Sequence, residues 1–290
     1  MASSRPSELF RPSSVEFPSL IRKDSYFSPK IMGIVNVTPD SFHADSRLDF
    51  KGAIAKAIEM WELGAEWVDI GGESTRPGSE EVSVDEELRR VIPVIKELKR
   101  IKPNGLISID TKKVEVAKKS VDAGALMIND VSGLRNDEMF EFVLSEKLPV
   151  CIMHMQKNPT EMQYSPTYED CLFEVSQILI KKANDLVKRG FPEDLIILDP
   201  GIGFGKLKSH NLELLRGNNV LSDGKFSVLN GVSRKSLIGE LTMKDDTRDR
   251  LAGTLAASAY GQMTGVDILR VHDVKEHIDV RNVLCALMNK

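Results

Sequence analysis

Eight short apolar runs recur along the chain: IMGIVNV (31–37), WVDI (67–70), LISID (106–110), LMIND (126–130), PVCIMH (149–154), LIILD (195–199), SVLNGV (227–232) and DILRV (267–271). Their character is near-continuous rather than alternating, as expected of strands buried on both faces. Helical stretches separate them: about 50–63, 85–101, 113–123, 137–146, 168–189, 209–216, 246–264 and 274–289. "SVDEELRRVIPVIKELKRI" places acids in its first turn and bases in its last, the order a helix dipole favours. Gly64, Gly124, Gly190 and Gly265 follow the helices where a left-handed residue ends them. Eight such units predict a (β/α)8 TIM barrel over residues 30–290. A doubly wound sheet is the alternative.

Residues 1–29 differ. They are rich in Ser and Pro, lack the continuous apolar stretch of a secretory signal, and carry Glu8, Glu16 and Asp24. Leu9, Phe10, Phe17, Leu20 and Ile21 offer groups to pack on a domain surface. The segment is expected to be an extended, partly ordered N-terminal arm.

In a barrel of this kind the active site lies at the C-terminal ends of the strands. Here every strand end is polar: Asn36, "GGESTRPGSEE", Asp110, Asn129–Asp130, His154–Met155–Gln156, "DPGIGFGK", "SRKS", and Arg270 with His272. Scattered helix caps account for single cases, and Asp137 and Asp246 are expected to be caps. A full ring of such groups calls for a ligand. Arg270, His272 and Asn36 suit an oxyanion. Asp110, Asn129 and Asp199 suit a flat heterocycle with several N–H donors. Lys235 adds a cation, and Phe204, within flexible "GIGFG", a ring to stack. Met155 reads equally as core packing or ligand contact, and His210 and His277 are expected at the surface.

Other chemistries fit poorly. "DPGIGFGK" is neither a Walker A loop nor a dinucleotide fingerprint. The histidines lack zinc-ligand spacing, and "GVSRKS" is not a nucleophile elbow. A net charge of −4 shows no nucleic-acid or membrane footprint. No apolar run approaches the roughly 20 residues of a membrane span. Cys151, Cys171 and Cys285 are odd in number and scattered, which points to a reducing, cytoplasmic setting.

"GIVNVTPDSF", "DIGGESTRPGS", "SIDT", "INDVSG", "CIMHMQ", "LDPGIGFGK", "SRKSLIG" and "RVHDV" resemble the dihydropteroate synthase family, in that order and spacing, over residues 31 to about 275. The resemblance implies a cytoplasmic, homodimeric, Mg2+-dependent transferase that sulfonamides inhibit. It would join para-aminobenzoate to 6-hydroxymethyl-7,8-dihydropterin diphosphate by dissociative substitution. Carried over by position, Asp110, Asn129, Asp199, Lys235, Phe204 and Met155 surround the pterin. Asn36 meets metal and diphosphate, with Thr75, Arg76, Arg270 and His272 completing the anion pocket. Phe42, Pro77, Ser236 and Lys235 face the aminobenzoate. Asp110, Lys235, Asp40 and Arg76 are the candidate catalytic groups. A pterin-binding methyltransferase domain shares the barrel but would lack "ESTRPG" and "SRKS". A non-catalytic pterin-binding paralogue is the third reading, and the intact Asn36, Arg76, Lys235, Arg270 and His272 argue against it.

The chain departs from the family at its first loop. Typical members follow the Phe with something like Ser-Asp-Gly-Gly, whereas this chain has His43-Ala44-Asp45-Ser46-Arg47. Losing two glycines restricts a backbone. Two readings stay open: neutral variation before the first helix, with Ser46 or Asp49 as its cap, or a remodelled aminobenzoate side that makes the member insensitive to sulfonamides.

Overall fold

The computed structural model describes residues 17–25, 27–37, 46–74, 79, 81–156, 162, 164 and 166–288, with backbone alone for 46–49. Eight strands close into a barrel in chain order: β1 (Lys30–Asn36), β2 (Trp67–Gly71), β3 (Leu106–Asp110), β4 (Met127–Asp130), β5 (Val150–Met153), β6 (Ile196–Asp199), β7 (Ser227–Asn230) and β8 (Ile268–Val271). Every pairing is parallel, including the closure of β8 onto β1. The apolar runs therefore are the strands, and the barrel expectation holds.

The helices outside the barrel are α1 (Phe17–Ile21), α2 (Ser46–Glu62), α3 (Val84–Ile101), α4 (Val114–Ala123), α5 (Asp137–Glu146), α6 (Cys171–Lys188), α7 (Lys208–Arg216), α8 (Ser236–Thr242), α9 (Leu251–Met263) and α10 (Val274–Met288). The four glycines expected to end helices all have positive φ, between 85° and 116°. Helix α2 starts at Ser46, ahead of the expected Phe50, so Asp49 lies within it and is no cap. Helix α8 was not anticipated: seven residues are too few for a 3.6-residue period to show. Before α9, Thr247–Arg250 form a 3-10 turn capped by Asp246, as expected of that residue. Asp137 is not a cap: the side chain of Asn136 accepts from the Glu138 and Met139 N–H groups.

The described part of the arm, expected to be extended, contains a short helix, Phe17–Ile21. Phe17 and Ile21 are fully buried against the barrel's N-terminal end. Trp67, the first residue of β2, donates its indole N–H to Leu20 O at 2.8 Å. Lys23 donates to Gly265 O just before β8, and Lys30 pairs with Asp24. These described residues of the arm thus cover the end of the barrel opposite the strand termini that carry the polar groups. His277 is also not at the surface: it is 1% exposed, and its Nε2 lies 3.1 Å from Ser258 Oγ of the neighbouring helix α9.

Candidate active site

Strand register levels the polar groups at one end of the barrel. Asn36 pairs with Gly71, Gly71 with Asp110, and Asp110 with Asn129. Side chains alternate along a strand. Gly33 faces helix α2, since a Cβ there would strike Met60, so Asn36, three residues on, points into the barrel. Gly71 leaves open space between Asn36 and Asp110: a Cβ there would lie 3.6 Å from Asp110 Oδ2 and 3.8 Å from Asn36 Oδ1. Gly231 does the same on the far side, between Lys235 and Arg270. The pocket exists because these positions carry no side chain.

Its floor is a charged network. Arg270 reaches inward from β8 and donates from Nε to Asp69 Oδ2 at 2.6 Å and from Nη2 to Asp110 Oδ2 at 2.7 Å. Asn129 Nδ2 donates to the same Asp69 oxygen at 3.0 Å. Burial pushes the Asp110 carboxyl up to about 7, against the pull of Arg270. Burial opposes the charge of Arg270, but Asp69 and Asp110 hold it above its ordinary range. Asp69 is the residue that reading strand ends missed. It sits one inward layer deeper, and its signal was an acid inside the apolar run WVDI.

The opposite wall belongs to β6, β7 and the segments after them. Asp199 accepts the Gly201 N–H at 2.7 Å. Burial raises its pKa, and Lys235 opposes the rise. Lys235 donates to Ile202 O at 2.6 Å, and its Nζ lies 4.6 Å from the centroid of the Phe204 ring. Burial lowers its pKa to about 8, with Asp199 opposing. The glycines of "GIGFG" set this wall rather than loosen it. Gly201, Gly203 and Gly205 all have positive φ, and a Cβ on Gly201 would lie 1.9 Å from His154 O. Buried Lys206 ties the loop down with bonds to Phe204 O at 2.9 Å and His154 O at 3.2 Å. Met155 is buried with Val131, Met153 and Met162 in a small cluster on which Phe204 packs.

His272 turns toward β7. Ser233 Oγ accepts the His272 backbone N–H at 3.1 Å and lies 3.0 Å from Nδ1. A hydroxyl proton given to Nδ1 would leave the ring proton on Nε2, the donor an anion needs. Burial, reinforced by Arg270, holds this imidazole neutral, with a pKa of about 3. Ser236 is exposed at the start of α8. Asp40, Phe42, Thr75, Arg76 and Pro77 lie outside the described residues.

Asn36 offers one amide oxygen beside the space over Gly71. Among the described residues no group of three or more His, Cys, Asp or Glu could enclose a metal ion. That donor set fits a hard cation that keeps most of its shell from water and a ligand's phosphates. Cys151 lies beneath the floor, and burial raises its thiol well above the ordinary range, so it is an inert packing group.

Comparison with known proteins agrees with this geometry. A family model described as "Pterin binding enzyme" matches residues 32–272. The chain is 42% identical over 262 residues to the dihydropteroate synthase of Escherichia coli strain K12, covering 90% of this chain and 92% of that protein. Among solved structures it resembles Xanthomonas albilineans dihydropteroate synthase with 4-aminobenzoic acid, at TM-score 0.84 and 41% identity, covering 90% of this chain and 94% of that one. A Yersinia pestis dihydropteroate synthase in a sulfonamide drug complex matches at TM-score 0.85 and 38% identity, covering 93% and 96%. From the motifs, the barrel and these relatives together, the chain belongs to the dihydropteroate synthase family of pterin binding enzymes.

Proposed function

We propose that the chain condenses 6-hydroxymethyl-7,8-dihydropterin diphosphate with para-aminobenzoate, giving 7,8-dihydropteroate and diphosphate. The observation that carries this reading is the set of buried Asp110, Asn129 and Asp199 with half-buried Lys235, facing one glycine-lined space beside Phe204. The carboxylates and the amide oxygen accept from ring N–H groups, Lys235 donates, and Phe204 offers a stacking face.

The reaction breaks the bond between the pterin methylene carbon and the diphosphate oxygen, whose electron pair leaves with diphosphate. The cation left on the methylene is conjugated with the pterin ring. Asp110 and Asp199, as anions at the ring edge, stabilise it without moving a proton. The arylamine nitrogen forms the new C–N bond and releases its proton to solvent. Such a weak nucleophile needs positioning more than a base. His272 Nε2 and Arg270 are the donors for the departing anion. Mg2+, held by Asn36 and the diphosphate itself, would neutralise leaving-group charge. Asp40 and Arg76 as further catalytic groups, Thr75 on the diphosphate, and Phe42, Pro77 and Ser236 at the aminobenzoate complete the proposal from the family pattern. The test is diphosphate release by the purified chain, which should require both substrates. Release without aminobenzoate would redirect the reading to hydrolysis.

The proposed assembly is a homodimer through the outer face of α9 and α10. These adjacent helices expose Tyr260, Met263, Val283 and Leu287, a set suited to a second copy. Light scattering should give twice the mass of one chain. A cytoplasmic setting fits the free thiols of Cys151, Cys171 and Cys285, and no helix among the described residues is long and apolar enough to cross a membrane. The first loop's glycine-free segment, of which 43–45 lie outside the described residues, supports a sulfonamide-insensitive aminobenzoate side. Competition kinetics should then give a sulfamethoxazole inhibition constant far above the aminobenzoate KM. A constant close to that KM would mean neutral loop variation.

A further inference from the structure

Asp69 has no role in the family pattern carried over above, yet it is among the most deeply enclosed charged groups of the barrel. It lies mid-strand in β2, fully buried. One oxygen, Oδ2, accepts from both Arg270 Nε at 2.6 Å and Asn129 Nδ2 at 3.0 Å. The other, Oδ1, is buried with no hydrogen-bond partner among the described residues.

The consequence concerns the orientation of Asn129. An amide side chain can present either its oxygen or its nitrogen to a ligand, and the two differ by a flip. Asp69 removes that freedom. Reversed, the amide would set its oxygen against a buried carboxylate, two acceptors face to face with no donor between them. The Asn129 oxygen is therefore the atom turned away from Asp69. Asn129 pairs in register with Asp110, so the two present acceptors side by side. A second constraint runs through Arg270: Asp69 takes Nε while Asp110 takes Nη2, so two carboxylates fix the guanidinium plane.

We infer that Asp69 is a positioning residue for specificity: by anchoring the Asn129 amide it makes Asn129 and Asp110 a paired acceptor edge that selects a ligand edge rich in N–H donors. The inference rests on the reading that this pocket takes a pterin.

The test uses the full chain and 6-hydroxymethyl-7,8-dihydropterin without diphosphate, so that Arg270's share in anion binding does not enter. In Asp69→Asn the amide can turn either its oxygen or its nitrogen toward Asn129, so it no longer enforces one orientation of that side chain. Calorimetry should show dihydropterin binding weakened about tenfold or more, while the KM for aminobenzoate stays within about twofold. In an Asn129→Ala background the same Asp69→Asn change should weaken binding less than about twofold, because the group it acts through is gone. A wild-type chain that does not bind dihydropterin overturns the pterin reading and this inference together. Wild-type binding with Asp69→Asn unaffected, or equal losses in both backgrounds, overturns the role of Asp69 alone. Should Asp69→Asn not fold, wild-type NMR decides. The Asn129 side-chain amide protons should be protected from solvent exchange, free and with dihydropterin bound, and rapid exchange in either state would refute the anchor.

Discussion

The Lys235 ammonium lies 4.6 Å from the centre of the Phe204 ring and donates to Ile202 O at 2.6 Å. One lysine thereby joins the segment after β7 to the glycine loop after β6, and its charge acts on the Asp199 carboxylate. Lys235→Met keeps the length and removes the charge. It should lower kcat/KM for the pterin diphosphate by about a hundredfold, as expected for losing a charged hydrogen bond in a buried site. Steady-state kinetics check it, with circular dichroism to confirm folding.

Arg270 is the counter-charge of two buried carboxylates. Arg270→Met leaves Asp69 and Asp110 without their counter-charge, and breaking a buried pair in this way costs about 3–5 kcal/mol. The loss should be smaller at acidic pH, where Asp110, raised to about 7 by burial, takes up a proton. Thermal melts at pH 8 and pH 5.5 should show the variant closer to wild type at the lower pH. An equal deficit at both would mean that packing, not charge, is what Arg270 supplies.

Activity should have a narrow pH optimum. The working form needs Asp110 ionised and Lys235 protonated. Asp110 is raised to about 7 and Lys235 lowered to about 8, both by burial, so kcat/KM should climb through pH 7 and fall above pH 8. Stability has the opposite sign for Asp110. Its folded pKa lies above its unfolded one, so its contribution is full below the ordinary carboxylate range and lost as pH rises through about 7. Lys235→Arg, which cannot deprotonate, should remove the alkaline fall from whatever activity remains.

Gly201→Ala tests the glycine wall. The backbone there has φ +67°, and a methyl would meet His154 O at 1.9 Å. The loop must shift, carrying Phe204 from beneath Lys235. Pterin binding should weaken by at least about tenfold, with a stability loss of about 1–3 kcal/mol from strain. Gly190→Ala, where a Cβ meets nothing within 4 Å, serves as the control with intact binding.

The barrel was legible because its strands are buried on both faces, which writes them as near-continuous apolar runs, and because polar residues end those runs where the site must be. Asp69 escaped for the same reason: it lies inside a run, and only strand register shows that mid-strand β2 faces the same space as Asp110. His277 looked like a surface residue of the last helix, since its burial depends on Ser258 in another helix. Helix α8 was too short to declare a period. The N-terminal arm showed its apolar residues but not their target, the closed end of the barrel.

Asp110 marks the floor against which the pterin is proposed to react, so its charge is the most direct handle on the whole account. Turnover of Asp110→Asn, measured as dihydropteroate formed from pterin diphosphate and para-aminobenzoate at pH 7.5, should fall by about a hundredfold or more in kcat, the scale of losing one electrostatic stabiliser of a developing charge. An Asp110→Asn chain that keeps wild-type turnover would contradict it.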